Sequence, residues 1–452
     1  MYFRNQKFLV AGMSKSGESS ARFLLERGAE VYLYDDVISD AVSAACRNLE
    51  ELGAITITAE SCDDAALKCD ILVLSPGIPI DTALPIAFRK QGKAIIGEEE
   101  LGAMFLRATA VAVTGTNGKT TTVSMMNEVL QASGKHSVAC GNIGNPLVKE
   151  VEELGFNDFA VIEVSSFQLE TLTSLRPHVA VITNITEDHL NRHYNMENYV
   201  FLKSKILRNM RESEYAVLNY DDTTVRGFAR NAKCKVVYFS IRERVDGAYF
   251  ENGSVYYKGE KYFDIADMHV GGVHNVYNAL ACVAAAGILG LDKKKVAEAI
   301  CAFKGIRHRI EKIREVNGVT YVDDSKGTNV DATIKAAQSM KSPTIILLGG
   351  KDKGYDYAPL FESLTSTPVI HAVIYGENRF KMLNAAIKSG FLSVSLCSEF
   401  NTAVRLATFI AKPGQSVLLS PASSSFDSFS NYEERGDAFR EFVEGINETG
   451  EE

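Results

Sequence analysis

The chain has 452 residues, of which 46% are hydrophobic and 23% charged, and its formal net charge is −9 at pH 7. The length favours two or three domains of a globular protein, and the negative charge argues against nucleic acid as a partner. A signal peptide pattern, a membrane-spanning run and paired cysteine motifs are all missing from the sequence, so we expect a cytoplasmic protein with reduced thiols.

The N-terminal region is predicted to form a βαβ unit. A strand at Lys7–Ala11 leads into a loop at 12–17 and a helix, and a second strand, Glu30–Tyr34, ends at an acidic pair. The middle glycine of the dinucleotide fingerprint is replaced by Ser14. Three interpretations stay open: NAD with Asp35 on its ribose, a nucleotide-sugar diphosphate on the loop, or a turn without a ligand.

Residues 110–122 read A-V-A-V-T-G-T-N-G-K-T-T-T, which predicts a buried strand, a glycine loop and a helix. In that order the loop N–H groups and the helix dipole favour an anion. Lys119 suits terminal phosphates and the Thr120 hydroxyl suits Mg²⁺. The general P-loop pattern requires glycine where this chain has Val113, so an ordinary glycine turn is the alternative.

Two further strands are predicted to end beside this loop. Glu163 lies near the end of the strand at 159–164, and the strand at 179–182 leads to His189. Because parallel strands share a carboxyl edge, Thr120, Glu163 and His189 are expected to meet there and to bind Mg²⁺ or Mn²⁺. Farther along, Asn275 and Asn278 are spaced to lie on one helical face, where two amides can read an adenine edge.

The last third of the chain has predicted strands at 319–322, 344–348 and 416–419, each followed by a polar loop. These loops should share one face of a sheet. The lysines and hydroxyl groups on them predict carboxylate binding, with plain solvated loops as the alternative. Earlier in the chain, residues 97–101 predict the start of a helix at a hinge, with its acids at the helix N-terminus.

Four motifs together resemble the Mur ligase family. They are T-G-T-N-G-K-T-T at 114–121, E-V-S-S-F-Q-L-E at 163–170, D-D-S-K-G-T-N at 323–329 and S-P-A-S-S-S-F-D at 420–427. The similarity runs nearly end to end and is strongest to the branch that adds D-glutamate. Members that add the third and fourth components typically carry Y-A-H or D-Y-x-H where this chain has D-D-S-K-G-T-N.

The resemblance implies an α/β fold of three domains. These are a Rossmann-like UDP-substrate domain at 1–100, a central P-loop ATPase-like domain with a mostly parallel sheet at 101–305, and a Rossmann-like amino-acid-binding domain at 306–452. The implied reaction is ATP-dependent addition of D-glutamate to UDP-N-acetylmuramoyl-L-alanine through an acyl phosphate, in the synthesis of peptidoglycan precursors. Another Mur-type or a folylpolyglutamate-type ligase is the alternative. We expect a monomer that binds small molecules only.

The resemblance also implies site residues. The catalytic residues are Lys119, Glu163, His189 and Lys203. The ATP contacts are Gly115, Thr116, Asn117, Gly118, Lys119, Thr120, Thr121, Asn275, Asn278, Arg309 and Asp324. The UDP-substrate contacts are Ser14, Lys15, Ser16, Gly17, Asp36, Ser75, Gly77, Asn142, Ser165 and Gln168. The D-glutamate contacts are Lys326, Thr328, Lys353, Ser425, Phe426 and Tyr432.

The implied cofactors are ATP, two Mg²⁺ ions that Mn²⁺ can replace, and CO₂ bound as a carbamate on Lys203. Thr120, Glu163, His189 and carbamylated Lys203 would hold the metals. Two rival classes are an NAD-dependent oxidoreductase, which leaves the 110–122 loop unexplained, and a nucleotide-binding regulator, which would bind ATP without releasing phosphate.

Overall fold

The computed structural model describes residues 3–36, 40–58, 62–352 and 354–447. These residues form three α/β sheets. By their contacts they fall into two compact units. Unit 1 comprises Met1–Ile185, Arg192–Met268 and Val276–Phe303, and unit 2 comprises Thr186–Asn191, His269–Asn275 and Lys304–Glu452.

The first sheet is parallel and doubly wound. Its strands are β1 (Lys7–Ala11), β2 (Glu30–Tyr34), β3 (Ile55–Thr56), β4 (Ile71–Leu74) and β5 (Ala94–Gly97), and its helices are α1 (Lys15–Glu26), α2 (Asp40–Glu50), α3 (Cys62–Lys68), α4 (Ala83–Lys90) and α5 (Glu98–Ala103). The strand order is β3-β2-β1-β4-β5, so the winding direction reverses between β1 and β4. A crevice at such a reversal is where α/β sheets bind ligands.

The second sheet has nine strands. They are β6 (Thr109–Thr114), β7 (Ser137–Gly141), β8 (Phe159–Glu163), β9 (Val179–Ile182), β10 (Tyr215–Asn219), β11 (Lys235–Ser240), β12 (Gly247–Glu251), β13 (Ser254–Tyr257) and β14 (Glu260–Asp264). Their order is β14-β13-β12-β11-β10-β9-β6-β8-β7. β6 and β8 are buried along most of their length, as a sheet covered on both faces requires.

Eight helices follow in this part of the described chain: α6 (Lys119–Ala132), α7 (Leu147–Glu150), α8 (Gln168–Thr171), α9 (Leu190–His193), α10 (Met196–Ser204), α11 (Thr223–Gly227), α12 (Val273–Ile288) and α13 (Lys293–Ala302). Helix α10 ends at Ser204, and a short 3₁₀ turn follows it directly at Lys205–Leu207.

The sheet is mostly parallel, as predicted. Strands β12, β13 and β14 form an antiparallel extension that the sequence analysis did not predict. Both of its turns have a residue at positive φ followed by glycine: Asn252-Gly253 and Lys258-Gly259. Asn-Gly between alternating apolar residues is a strong hairpin signal, so the first of these turns was readable from the sequence.

The third sheet has strands β15 (Glu311–Val316), β16 (Val319–Asp323), β17 (Thr344–Gly349), β18 (Val369–Tyr375), β19 (Val394–Leu396) and β20 (Ser416–Leu419), and its helices are α14 (Val330–Ser339), α15 (Ala358–Leu364), α16 (Arg379–Lys388), α17 (Phe400–Ile410) and α18 (Tyr432–Glu444). The order is β15-β16-β20-β17-β18-β19, with only β15 antiparallel to its neighbour. Separate apolar clusters pack on its two faces. The polar loops after β16, β17 and β20 therefore follow adjacent strand ends.

The cysteines whose side chains the structure describes carry free thiols: Cys46, Cys69, Cys140, Cys234, Cys282, Cys301 and Cys397. Across the described ranges, every helix is too short or too polar to traverse a lipid bilayer.

Candidate active site

The glycine loop between β6 and α6 has a backbone that only glycine tolerates. Gly115 and Gly118 have φ angles of 143° and 85°, and a Cβ at either would collide with a neighbouring side chain, at Thr183 and Asn278 respectively. The loop therefore packs closely against the residue that follows β9 and against α12, and neither glycine has room for a side chain.

The residues that follow β9 hold the loop in place. The Asn117 N–H donates to Asn184 Oδ1 at 3.0 Å, and Asn184 Nδ2 donates back to the Asn117 carbonyl at 2.9 Å. Thr183 Oγ1 donates to the same carbonyl at 2.7 Å. The sequence analysis did not assign Thr183 and Asn184 to the site. Their position directly after a buried strand could have indicated that they lie there.

The side chains at the start of α6 suit a polyphosphate. Lys119 Nζ rests on the carbonyls of Gly115 and Thr116, at 3.1 and 2.7 Å. Thr120 and Thr121 are buried, and within the described part of the chain nothing hydrogen-bonds Thr121 Oγ1. A buried hydroxyl without a partner is costly, and a phosphate oxygen in the loop would satisfy it.

Glu163 ends β8 at the same sheet edge. It pairs in register with Val113 of β6, and its side chain is 2% exposed. Asn142 Nδ2 donates to Glu163 Oε1 at 2.8 Å. A buried carboxylate beside a phosphate loop fits the hard oxygen donors that Mg²⁺ prefers, so Thr120 and Glu163 match the expected metal chemistry.

Lys203 of α10 is buried at the same edge, although a lysine in a helix is usually solvated. It is 1% exposed, with Nζ 3.4 Å from Thr114 Oγ1 and 5.0 Å from the centre of the Tyr199 ring. The Tyr199 hydroxyl is 3.1 Å from Thr116 Oγ1, so the lysine and the glycine loop share a neighbour. Periodicity alone gave no reason to expect this burial.

The loops that follow β1 and β4, at the point where the winding reverses, contact each other. Ser75 Oγ donates to the Gly12 carbonyl at 2.6 Å, and a Cβ at Gly17 would strike that same carbonyl. The Met13 N–H donates to Asp35 Oδ2 at 2.6 Å, so Asp35 supports the loop. Lys15 Nζ reaches the carbonyl of Gly144 in the middle sheet's loop at 2.7 Å.

The other predicted UDP-substrate residues lie on several separate segments of unit 1. Ser14, Lys15, Ser16 and Gly17 begin α1 or precede it, and the Asp36 carboxylate accepts a hydrogen bond from the Tyr34 hydroxyl. Ser75 is buried and Gly77 is exposed. Gln168 Oε1 accepts from the N–H and hydroxyl of Ser165, at 2.7 and 2.8 Å, which fixes both side chains at the start of α8.

The remaining predicted nucleotide and metal residues lie mostly in unit 2. His189 has a φ of 54°, with Nε2 3.5 Å from Asp188 Oδ2. Asp188 also accepts from Tyr355 and Asn329, at 2.5 and 3.1 Å. The sequence analysis did not include Asp188 in the predicted site, although it included the adjacent His189. In α12, Asn275 Nδ2 donates to the Gly271 carbonyl at 2.8 Å.

On the other unit, Asn278 lies against the glycine loop, and its Oδ1 accepts from Thr122 Oγ1 at 3.3 Å. The sequence predicted an adenine contact for this amide. In the structure Asn278 also packs against the glycine loop, because a Cβ at Gly118 would collide with its side chain.

Asp324 is a buried carboxyl at the end of β16. Burial raises its pKa to about 7, while the Arg309 guanidinium and the Ser420 hydroxyl act in the opposite direction. Ser420 Oγ donates to Oδ2 at 2.6 Å. His308 precedes Arg309 in the chain, and Asp323 precedes Asp324. His308 Nδ1 lies 2.7 Å from Asp323 Oδ2, and this contact ties the segment carrying Arg309 to β16.

The predicted D-glutamate residues are only partly assembled by the described contacts. Lys326 Nζ lies 3.1 Å from the Tyr432 hydroxyl and 5.0 Å from the ring centre. Thr328 is half-buried, Ser425 is buried and Phe426 is 69% exposed. Lys353 lies outside the described residues.

Arg435 is a buried organiser of this region that the sequence did not reveal. Its side chain is fully buried in α18, where Nε donates to Ser325 Oγ at 3.0 Å and Nη2 to the Ser423 carbonyl at 3.2 Å. It thereby joins the loop after β16 to the loop after β20. An arginine in a charged helix gives no sequence signal that it points inward.

Comparison with known proteins shows the family. Three profiles match, described as Mur ligase MurD-like N-terminal domain over residues 6–97, Mur ligase middle domain over 113–286, and Mur ligase glutamate ligase domain over 308–423. The UDP-N-acetylmuramoylalanine–D-glutamate ligase of Geotalea uraniireducens is 40% identical, covering 99% of both chains. Its counterpart in Caldanaerobacter subterraneus is 38% identical, covering 98% of this chain and 99% of its own.

A solved structure shares the fold. The UDP-N-acetylmuramate-alanine ligase MurC of Thermotoga maritima aligns with a TM-score of 0.63 over 97% of this chain and 99% of its own, at 19% identity.

Proposed function

The chain belongs to the Mur ligase family, and from this premise we propose that it catalyses ATP-dependent addition of D-glutamate to UDP-N-acetylmuramoyl-L-alanine. The relatives at 38–40% identity carry that name over the full length of the chain. One structural observation carries the catalytic part of the proposal: β8 delivers the buried Glu163 carboxylate to the sheet edge where the Lys119 loop begins.

The proposed nucleotide site uses the glycine loop. Its N–H groups and the α6 dipole would receive the phosphates, and Lys119 would leave the loop carbonyls to neutralise the terminal phosphate. Thr120 and Glu163 would hold Mg²⁺, and His189 would help hold a second ion. The metal would supply charge neutralisation for two anions that must approach each other. Asn275, Asn278, Arg309 and Asp324 are the proposed base and ribose contacts.

The proposed acceptor site lies in the β1/β4 crevice and along α8. The loop beginning at Ser14 and the Ser75–Gly77 turn would hold the uridine diphosphate. Asn142, Ser165 and Gln168 would meet the muramoyl-alanine end. Because Asn142 also donates to Glu163, it would contact both proposed substrate sites.

The reaction proceeds in two transfers. The alanine carboxylate oxygen attacks the γ-phosphorus, forming an acyl phosphate as the bond to ADP breaks. The D-glutamate amine then attacks the acyl carbon, and phosphate leaves as the amide forms with loss of a proton. Positioning and charge neutralisation account for such chemistry. Lys326, Thr328, Lys353, Ser425, Phe426 and Tyr432 are the proposed D-glutamate residues.

The domain assignment follows the same proposal: residues 1–100 bind the UDP substrate, 101–305 bind ATP and 306–452 bind the amino acid. Each function then has a sheet of its own, and we propose a monomer. The proposed substrates are intracellular metabolites. Free thiols, as in the described cysteines, are typical of proteins in a reducing compartment. We therefore propose that the enzyme acts in the cytoplasm.

The test is phosphate release from ATP with UDP-N-acetylmuramoyl-L-alanine, screened across D- and L-amino acids. We expect release only when D-glutamate completes the mixture, together with the expected product mass. Lys119→Ala should lower the rate by about 10²–10³-fold with an unchanged circular dichroism spectrum, whereas the exposed Lys149→Ala should not. Release with another amino acid, or with folyl substrates, would assign the chain to a different branch.

Lys203 is proposed to react with CO₂ and become a carbamate. The ammonium group would first lose a proton. The amine nitrogen would then bond to the carbon of CO₂ as a second proton leaves, which converts a buried cation into an anionic ligand. Its burial beside Thr114 supports this, since a buried ammonium ion carries a large desolvation cost. We expect Lys203→Ala to lose most activity and short carboxylates such as acetate or formate to restore part of it. Full activity without carboxylate would contradict the carbamate.

A further inference from the structure

Arg192 of α9 lies where two segments of unit 1 meet. Its guanidinium donates to the backbone carbonyls of Ile78 at 3.0 Å, Gly77 at 3.3 Å and Pro76 at 3.5 Å. These carbonyls belong to the turn that follows β4 in the first sheet. The Arg192 side chain is 11% exposed, so most of it is shielded from water.

The same guanidinium is anchored on the middle domain's side by Glu170. Nε donates to Glu170 Oε1 at 3.1 Å and Nη2 to Oε2 at 2.6 Å, which is a two-pronged ion pair. The Glu170 side chain is 5% exposed. The Phe167 ring lies 4.9 Å from the guanidinium carbon and packs against it. Because the planar guanidinium is held on these two sides, the Arg192 side chain has little freedom to rotate.

The segments that Arg192 joins both carry proposed substrate residues. The 75–78 turn contains Ser75 and Gly77, and Ser75 is itself tied to Gly12 across the crevice. The 163–170 segment contains Ser165 and Gln168. Arg192 therefore sets the position of one substrate-binding segment relative to the other, although it belongs to neither.

We propose that Arg192 is a positioning residue, which holds the 75–78 turn in the conformation that receives the diphosphate of a UDP-linked substrate. This inference rests on the proposed function. Lysine cannot replace arginine here, because one ammonium group cannot keep both carboxylate oxygens and a row of three carbonyls in hydrogen-bonding geometry.

The test compares Arg192→Lys with Arg27→Lys. Arg27 is a matched control, since it also joins the first sheet's domain to the middle domain, through Glu152, and its guanidinium also lies on an aromatic ring, 3.4 Å from the centre of Phe23. It touches neither substrate-binding segment. Steady-state kinetics and hydrogen exchange of the peptide spanning 75–82 are measured for both variants and the wild type.

For Arg192→Lys we expect the KM for UDP-N-acetylmuramoyl-L-alanine to rise at least tenfold, with kcat and the KM for ATP within twofold of the wild type. Exchange in the 75–82 peptide should be faster in Arg192→Lys alone. Unchanged KM and exchange would overturn the proposal. So would an equal loss in kcat and both KM values, because that pattern means general destabilisation.

Failure of the proposed function is recognised separately. If the wild type makes no product from these substrates, calorimetric titration with UDP and the exchange measurement still decide the role of Arg192. Weaker UDP binding with faster 75–82 exchange in Arg192→Lys would support positioning, and wild-type values for both would overturn it.

Discussion

At the scale of single residues, the chain places several ionisable groups where water does not reach them. Lys203, Glu163 and Asp324 are each at most 3% exposed. All three lie at or beside the carboxyl ends of sheet strands, where α/β proteins bind ligands. Buried ionisable groups are common at functional sites, which is why we include all three in the proposed site.

The pH dependence of stability tests one of these groups. Burial raises the pKa of Asp324 to about 7, against about 3.9 in an unfolded chain. Between these values the folded protein binds more protons than the unfolded chain, so the stability contributed below pH 4 is lost as pH rises through 7. We expect Asp324→Asn to escape this loss, which amounts to about 4 kcal/mol at most.

The measurement is the melting temperature of the ligand-free protein at pH 5 and pH 8. The difference between Asp324→Asn and wild type should become more positive at pH 8. The exposed Glu362→Gln in the same unit serves as the control and should show the same small difference at both pH values. A constant difference for Asp324→Asn would show that the carboxyl is already ionised at pH 5.

At the scale of elements, α5 shows how a helix start can be predicted while its role is not. The acids at 98–100 open a helix, as predicted, but all three side chains are buried. Glu98 Oε1 accepts from the Val148 N–H at 2.7 Å. Burial raises the pKa of both Glu98 and Glu99. The predicted hinge is a firmly packed junction between the first and second sheets.

Glu100 gives a direct test of that junction. It accepts from the Thr173 N–H, the Thr173 hydroxyl and the Ser174 N–H, at 2.7, 2.6 and 2.8 Å. Glu100→Ala would leave these donors without their acceptor, which should destabilise the protein by about 3 kcal/mol. Urea unfolding followed by circular dichroism measures this. The exposed Glu153→Ala should change stability by less than about 0.5 kcal/mol, and a similar value for Glu100→Ala would mean that α5 is weakly held.

At the scale of the whole molecule, the proposed ligands divide between the units. All ten proposed UDP-substrate residues belong to unit 1, and the five described members of the proposed D-glutamate set belong to unit 2. This division follows chain order, because the first two sheets precede residue 304 and the third follows it.

Ligand-dependent hydrogen exchange checks the division. UDP-N-acetylmuramoyl-L-alanine at about 100 times its Kd should stabilise the residues it touches by up to about 2.7 kcal/mol. Protection should appear at 12–17, 75–78 and 163–170, with peptides of 344–447 unchanged. UDP alone should protect the first two segments only. Protection confined to unit 2 would contradict the assignment of the substrate to the first sheet.

The sequence by itself determined the three α/β domains, the glycine loop and the family. Strands such as Lys7–Ala11, Glu30–Tyr34 and Val179–Ile182 were predicted with their observed bounds. These features are local: a buried strand needs an apolar run, and positive φ at a tight turn needs glycine. The relatives confirm the family and the ligase class that the motifs predicted.

Only the tertiary structure decided which polar side chains point inward and what they join. For Arg192, Arg435 and Glu100, the local sequence does not distinguish a buried charged side chain from an exposed one. Each has a partner that is distant in the chain: Glu170 for Arg192, Thr173 for Glu100 and Ser325 for Arg435. Such pairings arise when separate segments pack together, so no local pattern records them.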